Sequence, residues 1–324
     1  MIAIVTGATG FLGSAITQEL AKEHGPQSVV GLIRNPLPDA ERAAAERLHA
    51  SGVRLIPCDL MAYPVLPSVD VEPDVIYHLA AETDSSASPD RLLINTQGTR
   101  NLIHTFGRRL KDKRVVLAGA TAAIDRARRP RNLMSESDLP APRTAYGRSK
   151  LEAEQILVQG GSEFGFRWSV ARFSPVWTAD PLTGFLGAFR EQVLARSVMR
   201  RIRWPGRITI VHRDDAVAIL RRLGETGAGD GRAVHVGDGE VHVYADLMAD
   251  LRRLAGDEGW SLPIPGFLWS FIRWCAWLPL AKRLVPWRLS CLLGDDLAVD
   301  TAVLRKIHPD PMTRWADARD DIRM

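Results

Sequence analysis

Short apolar runs alternate with stretches of helical period through the first half of the chain. Ile2–Val5, Val29–Ile33, Val53–Pro57, Val75–Leu79, Val115–Gly119 and Arg167–Arg172 have the length and composition of buried strands. Between them, Ser14–Glu23, Asp39–Ala50, Arg91–Arg109 and Thr144–Val158 read as helices. In Arg91–Arg109 the residues Leu92, Leu93, Thr96, Leu102, Ile103 and Phe106 fall roughly on one face. Strand–helix alternation of this kind predicts an α/β fold, a doubly wound parallel sheet with right-handed crossovers. After about Pro175 the alternation fades, Pro, Gly and Trp become more frequent, and a smaller, mostly helical C-terminal lobe is expected.

The join between the first strand and the first helix reads TGATGFLG, residues 6–13. Gly7 allows a tight turn, Gly10 lets backbone N–H groups approach a pyrophosphate, and Gly13 lets the helix pack close to the strand. The helix N-terminus then offers unpaired donors and partial positive charge to phosphates. A tight turn of purely structural use is the competing reading. In the context of the alternating pattern, the run predicts a Rossmann-type dinucleotide-binding unit.

Composition narrows the classes. At 324 residues and 46% hydrophobic, the chain suits one large domain or a cofactor domain with a smaller lobe. It opens on a strand rather than a charged and apolar leader. Cys58, Cys275 and Cys291 lack metal-ligand spacing, so no metal is expected, and reduced thiols point to a cytoplasmic protein. The net charge of +4 comes mostly from arginine, without an aromatic-interleaved basic stripe or a helix-turn-helix pattern. Nucleic acid is therefore not an expected partner.

Candidate chemistry lies in the helix at Thr144–Val158. Tyr146 and Lys150 are four residues apart and share one face. A free tyrosine titrates near 10, so poising it near neutrality takes about 4 kcal/mol of differential stabilisation. A neighbouring ammonium supplies part of this, and the charge of an oxidised nicotinamide supplies more. Tyr146 would exchange the proton, while Lys150 holds the nicotinamide ribose and lowers the tyrosine pKa. An amphipathic tyrosine beside a solvated lysine is the alternative.

With the glycine run, the fifth strand and Tyr146–Lys150 in this order, the chain resembles the extended short-chain dehydrogenase/reductase superfamily, also described as NAD-dependent epimerase/dehydratase-like. Its resemblance is strongest to the 3-beta-hydroxysteroid dehydrogenase, dihydroflavonol reductase, and fatty-acyl and thioester reductase branches. Cys58-Asp59-Leu60, Tyr77-His-Leu-Ala-Ala81, Asn95-Thr-Gln-Gly98-Thr99, Glu136, Pro142, Arg172-Phe-Ser-Pro-Val176 and Val211-His-Arg-Asp-Asp215 match further family motifs. Many extended members carry a serine pair where this chain has Gly119-Ala120, which leaves Thr121 as the hydroxyl that polarises the substrate oxygen. The resemblance implies catalytic Thr121, Tyr146 and Lys150. It also implies cofactor contacts from Gly7, Thr9, Gly10, Phe11, Leu12, Gly13, Arg34, Asp59, Leu60, Leu79, Ala80, Ala81, Lys150, Phe173, Ser174 and Val176. Residues 1–175 would form the cofactor domain and 176–324 the substrate lobe, interleaved, with segments near 207–245 returning to the main domain.

Arg34 stands where NAD-preferring enzymes often place an acid, and its planar fork suits a 2′-phosphate. NADP(H) is thus expected ahead of NAD(H), although an arginine stacked on adenine would discriminate less. The expected reaction interconverts a carbonyl and an alcohol on a small, hydrophobic substrate. One alternative is a nucleotide-sugar epimerase or dehydratase with retained NAD, for which Asp125 is a weakly placed added acid. Another is a non-catalytic nucleotide sensor or assembly factor. The basic loop with Arg126, Arg128, Arg129 and Arg131 reads as a phosphate grip or a solvated loop. Residues 263–293, with Trp269, Trp274, Trp277 and Trp287, are too interrupted to span a bilayer. They could wall a pocket, touch a membrane surface or pack as core. The family often forms homodimers through helices corresponding to 91–109 and 144–158.

Overall fold

The strand β1 (Ala3–Thr6) is buried along its whole length, because it lies at the centre of a sheet covered on both faces. The computed structural model describes residues 1–62, 69–125, 132–276 and 296–322, with side chains from Ile272 to Ala276 and that of Asp296 excepted. The basic loop at 126–131, most of the tryptophan-rich segment, Cys291 and the side chain of Cys275 fall outside what is described.

β1 is followed by α1 (Phe11–His24), β2 (Val29–Ile33), α2 (Asp39–Ala50), β3 (Arg54–Pro57) and β4 (Val75–His78). Then come α3 (Pro89–Leu93), a π turn at Ile94–Gly98, α4 (Thr99–Phe106), β5 (Arg114–Ala120), α5 (Ala145–Phe164) and β6 (Arg167–Phe173). These six strands pair in the order 3-2-1-4-5-6, and β11 (Arg232–Val236) extends the sheet beside β6. All six pairings are parallel. The order reverses between β1 and β4, the switch point where such sheets bind ligands beyond their strand ends.

Alternate residues face opposite sides, as the pleat requires. Val5, Tyr77, Val116 and Val234 belong to the core shared with α1 and with α7 (Arg213–Thr226), through Ile16, Leu20, Leu220 and Leu223. Ile4, Ile76, Val115 and Leu117 belong to the core shared with α4 and α5, through Leu102, Phe106 and Leu157.

Two helices differ from the sequence pattern. The stretch expected as one helix at Arg91–Arg109 is two helices interrupted by the π turn and closed by a 3-10 turn at Gly107–Leu110. α5 runs six residues past Val158, through Gly160 and Gly161. A Cβ on these glycines would stand 2.6 Å from Ile103 Cγ2 and 2.6 Å from the Trp168 ring, so their small size serves close packing rather than helix termination.

Beyond β6 the chain builds two small three-stranded sheets. One contains β7 (Val176–Thr178), β8 (Thr183–Gly184) and β10 (Val211–His212); the other contains β9 (Arg207–Ile208), β12 (His242–Val243) and β13 (Asp296–Leu297). Helices α6 (Phe185–Leu194), α8 (Tyr244–Leu254) and α9 (Gly266–Ala276) complete this lobe. Its own core holds Trp177, Leu186, Trp204, Tyr244, Leu251, Trp269 and Trp315. Trp269 is thus a core side chain, packed against Trp204 with ring centroids 5.5 Å apart. No helix among the described residues is long and apolar enough to cross a membrane.

Candidate active site

The parallel sheet sends the ends of its central strands to one edge, and the candidate residues collect there. At the end of β1, Gly7 adopts φ +64° and its backbone lies against Ala80, where a Cβ would stand 2.9 Å from the Ala80 Cα. A Cβ on Gly13 would stand 1.9 Å from the Gly7 carbonyl oxygen. The turn therefore accepts no larger residue at either place. α1 starts at Phe11 with Gly10 as its N-cap and no side-chain cap, which leaves its first N–H groups for a phosphate. Phe11 is exposed, and Leu12 packs on the core. This cradle fits the pyrophosphate of a dinucleotide.

Thr9 and Arg34 share one partner in the fold. The Thr9 hydroxyl donates to the carboxylate of Glu41 on α2, and the Arg34 guanidinium pairs with the same carboxylate. Arg34 therefore does not stand alone as a cation beyond β2. An acid occupies that corner, reached across space from the next helix. At the β3 end, Asp59 is exposed and its Oδ1 accepts the Met61 N–H at 2.9 Å, which caps the turn. Leu60 is buried, and its carbonyl accepts from Asn101 Nδ2 at 2.7 Å.

A chain of hydrogen bonds fixes the β4 end. The Thr99 hydroxyl donates to the Asn95 carbonyl at 2.6 Å, so it accepts from His78 Nε2 at 2.9 Å. His78 Nδ1 then accepts from Thr6 Oγ1 at 2.7 Å, and Thr6 Oγ1 accepts the N–H groups of Leu79 and Ala80 at 3.1 and 3.0 Å. Burial, and secondarily Lys150, push the His78 pKa down to about 3, so the ring is neutral. His78 thereby ties β1, β4 and α4 together and sets the backbone of Leu79 and Ala80 against the glycine turn, with Ala81 following.

α5 carries the candidate proton-transfer pair. Thr144 caps it, accepting the Gly147 N–H at 2.8 Å. Gly147 is where the helix touches the 3-10 turn Thr121–Ala123 that follows β5; a Cβ there would stand 2.3 Å from the Ala122 carbonyl oxygen. Lys150 is buried and donates to the Ala118 carbonyl at 3.0 Å. Burial brings its pKa down to about 8, opposed by the nearby Glu154. Burial and the Glu82 carboxylate push the Tyr146 hydroxyl up, the reverse of the shift expected from a lysine one turn away. Thr121 is buried at the β5 end, and its hydroxyl donates to the Phe173 carbonyl over 3.4 Å, a long bond.

Phe173 and Ser174 are buried where β6 ends, and Val176 opens β7. Arg172, in the Arg172–Val176 run, faces α5. Its Nε lies 3.0 and 3.1 Å from the Glu154 oxygens, and its Nη2 donates at 2.6 Å. The pair fastens α5 to the sheet. Asp125, the weak candidate for an added acid, is fully buried and bound twice by Arg143, at 2.7 and 3.2 Å.

Several contributors escaped the sequence reading. Asn95, in the π turn, accepts the Glu82 N–H at 2.8 Å and donates to the Glu82 carbonyl at 3.1 Å and to Ser149 Oγ at 2.9 Å. Ser149 donates to the Tyr146 carbonyl at 2.8 Å, so the π turn helps to seat α5. Glu154 continues the stripe of Tyr146 and Lys150 by one more turn, a signal present in the sequence. Glu41 had none, because its contacts depend on how the loop before α2 folds.

A glycine turn at the switch point of a parallel sheet, with a buried lysine on a helix at the neighbouring strand ends, marks a dinucleotide-binding α/β enzyme. The chain belongs to the NAD dependent epimerase/dehydratase family, whose model matches residues 3–237. It is 30% identical over 187 residues to the hybrid PKS-NRPS synthetase tasS of Hapsidospora irregularis, covering 55% of this chain and 4% of that protein. It is 29% identical over 185 residues to UDP-glucose 4-epimerase of Azospirillum brasilense, covering 55% of this chain and half the length of the epimerase. In fold it is similar to UDP-glucuronic acid 4-epimerase of Bacillus cereus solved with NAD, at TM-score 0.75 and 18% identity, covering 99% of this chain and 97% of that one. A nicotinamide dinucleotide is the cofactor that goes with this family.

Proposed function

We propose that the chain is a nicotinamide-dependent oxidoreductase acting at an alcohol or carbonyl carbon of a nucleotide-linked sugar. One observation carries the chemistry: Lys150, buried and bound to the Ala118 carbonyl, lies one helical turn from Tyr146. When bound, the dinucleotide supplies the hydride acceptor or donor. Tyr146 takes the proton from, or returns it to, the substrate oxygen, and Lys150 orients the ribose. Thr121 offers a hydroxyl to the same oxygen; its long bond to Phe173 leaves it free to turn. The cradle of Gly7, Gly10 and Gly13 receives the pyrophosphate, with Leu79, Ala80 and Ala81 along the backbone beside it. The substrate class is supported by the epimerase among the relatives.

For the cofactor we favour NAD over NADP. The Glu41 carboxylate neutralises Arg34 and would repel a 2′-phosphate at the corner of β2.

A second reading retains the chemistry and changes the substrate to a hydrophobic ketone or thioester. The apolar, tryptophan-rich sequence at residues 263–293 favours it. A single assay separates the two. The protein, with NAD or NADPH, is offered UDP- and GDP-linked sugars, ketosteroids and acyl thioesters, and both absorbance at 340 nm and sugar products are followed. Conversion of a sugar nucleotide is expected, and Tyr146→Phe should lower it at least ~100-fold while NAD still binds. Turnover of only the apolar substrates would establish the second reading. Undiminished turnover in Tyr146→Phe would remove the catalytic assignment. Full cellular function in that variant would indicate a nucleotide sensor instead.

A further inference from the structure

We propose that Glu154 is a positioning residue for Lys150: its carboxylate is the fixed counter-charge that keeps the buried lysine an ammonium and holds it at the end of β5. The inference rests on the role given to Lys150 above. Both side chains are buried. They stand one helical turn apart on α5 and share one face of it. Both reach β5, at consecutive residues. Lys150 Nζ donates to the Ala118 carbonyl at 3.0 Å, and Glu154 Oε1 lies over Gly119, 3.2 Å from where a Cβ would stand. That Cβ would also meet Val170 Cγ1 at 2.7 Å, so the glycine leaves the slot that the carboxylate fills.

A buried ammonium needs an opposite charge close by to stay protonated. Burial lowers the Lys150 pKa to about 8, and Glu154 opposes that fall. The other titratable groups around it supply no such support. His78 on β4 is neutral, and Tyr146 on α5 holds its proton. The Glu82 carboxylate beyond β4 is paired with Arg91. Arg172 on β6 is a second cation, and burial pushes His235, its neighbour on β11, toward the neutral form. Arg172 fixes the carboxylate from the β6 side, with Nε at 3.0 and 3.1 Å and Nη2 at 2.6 Å. One acid thus serves two cations, Lys150 along its own helix and Arg172 from the sheet, and both oppose the upward push of burial on Glu154. Of the three N–H donors of the ammonium, one goes to Ala118 and two have no acceptor among the described residues. Those two are available to the ribose hydroxyls, whereas a neutral amine would keep only one and lose its attraction to the pyrophosphate.

Binding of NADH, followed by its fluorescence from about pH 6 to about pH 9.5, tests this without a substrate. In wild type the affinity should begin to weaken near pH 8, where the free protein loses the Lys150 proton. Glu154→Gln, which leaves Arg172 a hydrogen-bonding partner, should move that break down by about one pH unit or more. The paired change Glu154→Leu, Arg172→Met removes the carboxylate without stranding the arginine, and should move the break the same way even where stability is recovered. If Glu154→Gln does not fold, the paired variant still decides. A break that stays at the wild-type pH in the folded variants would overturn the proposal and leave Glu154 a structural fastening alone. Lys150→Met should abolish the break. Its loss there, without a shift in the Glu154 variants, would overturn only this inference; its persistence in Lys150→Met would remove the role of Lys150 at the cofactor and the inference with it.

Discussion

Glu41 holds the Thr9 hydroxyl and the Arg34 guanidinium together, which makes it the residue that would select NAD under the function proposed above. Removing its charge frees the arginine, and a charge-assisted contact from arginine to phosphate is worth about 1.5–3 kcal/mol. Glu41→Gln should therefore improve NADPH affinity about tenfold relative to NADH, the equivalent of about 1.4 kcal/mol. Titration of each cofactor against wild type and variant checks this, and an unchanged ratio would assign the preference elsewhere. Arg34 shows the limit of reading one residue from its place in the chain. Its strand-end position was legible; its partner was not, because Glu41 reaches it only after α2 packs. The same limit applied to Arg172 and Asp125, each of which the fold gives a partner 18 residues away in the sequence.

The helix α5 was legible as an element because Tyr146 and Lys150 repeat at its period. What seats it was less visible. Arg172 and Glu154 are 8% and 6% exposed, so neither charge is well served by water. Burial pushes the Glu154 carboxyl up, and Arg172 opposes that shift. Arg172→Met, which strands Glu154, should cost about 3–5 kcal/mol, and adding Glu154→Leu should restore much of the loss. Urea unfolding of the single and double variants reads both effects. Gly147→Ala should act on position instead. Its Cβ meets the Ala122 carbonyl, so the helix must back away from the turn that carries Thr121. A fall in kcat of at least ~10-fold with a smaller change in KM would show that alignment was lost. The π turn is a related device that single-sequence periodicity missed. Local widening of a helix leaves the apolar pattern almost intact, yet it aims Asn95 at Glu82 and Ser149.

At the scale of the whole molecule, the parallel sheet was readable because a segment of helical period stands at four of the five connections between β1 and β6. Most of the chain beyond β6 was not, since every described strand there but β11 has two or three residues, below the length at which periodicity speaks. Stability against acid also belongs to this scale. His78 titrates near 3 in the fold, against about 6.5 in an unfolded chain, and burial shifts His212 and His235 downward too. As pH falls below about 6.5 the unfolded chain takes up these protons first. The His78 contribution is complete above that pH and is lost toward pH 3, with a slope of about 1.4 kcal/mol per unit, and His212 and His235 act in the same direction. Melting temperatures measured from pH 7 to pH 4 should fall accordingly, and a flat profile would refute the assignment. In the fold the same ring stays unprotonated down to about pH 3, which preserves the bond from Thr6 to His78. Protonating Nδ1 removes the acceptor that orients the Thr6 hydroxyl, and with it the hold on the amides of Leu79 and Ala80 beside the glycine turn. The neutral histidine is thus a pin at the mouth of the nucleotide cleft: on acidification the cradle should keep its shape, and its hold on a dinucleotide, until the chain unfolds as a whole.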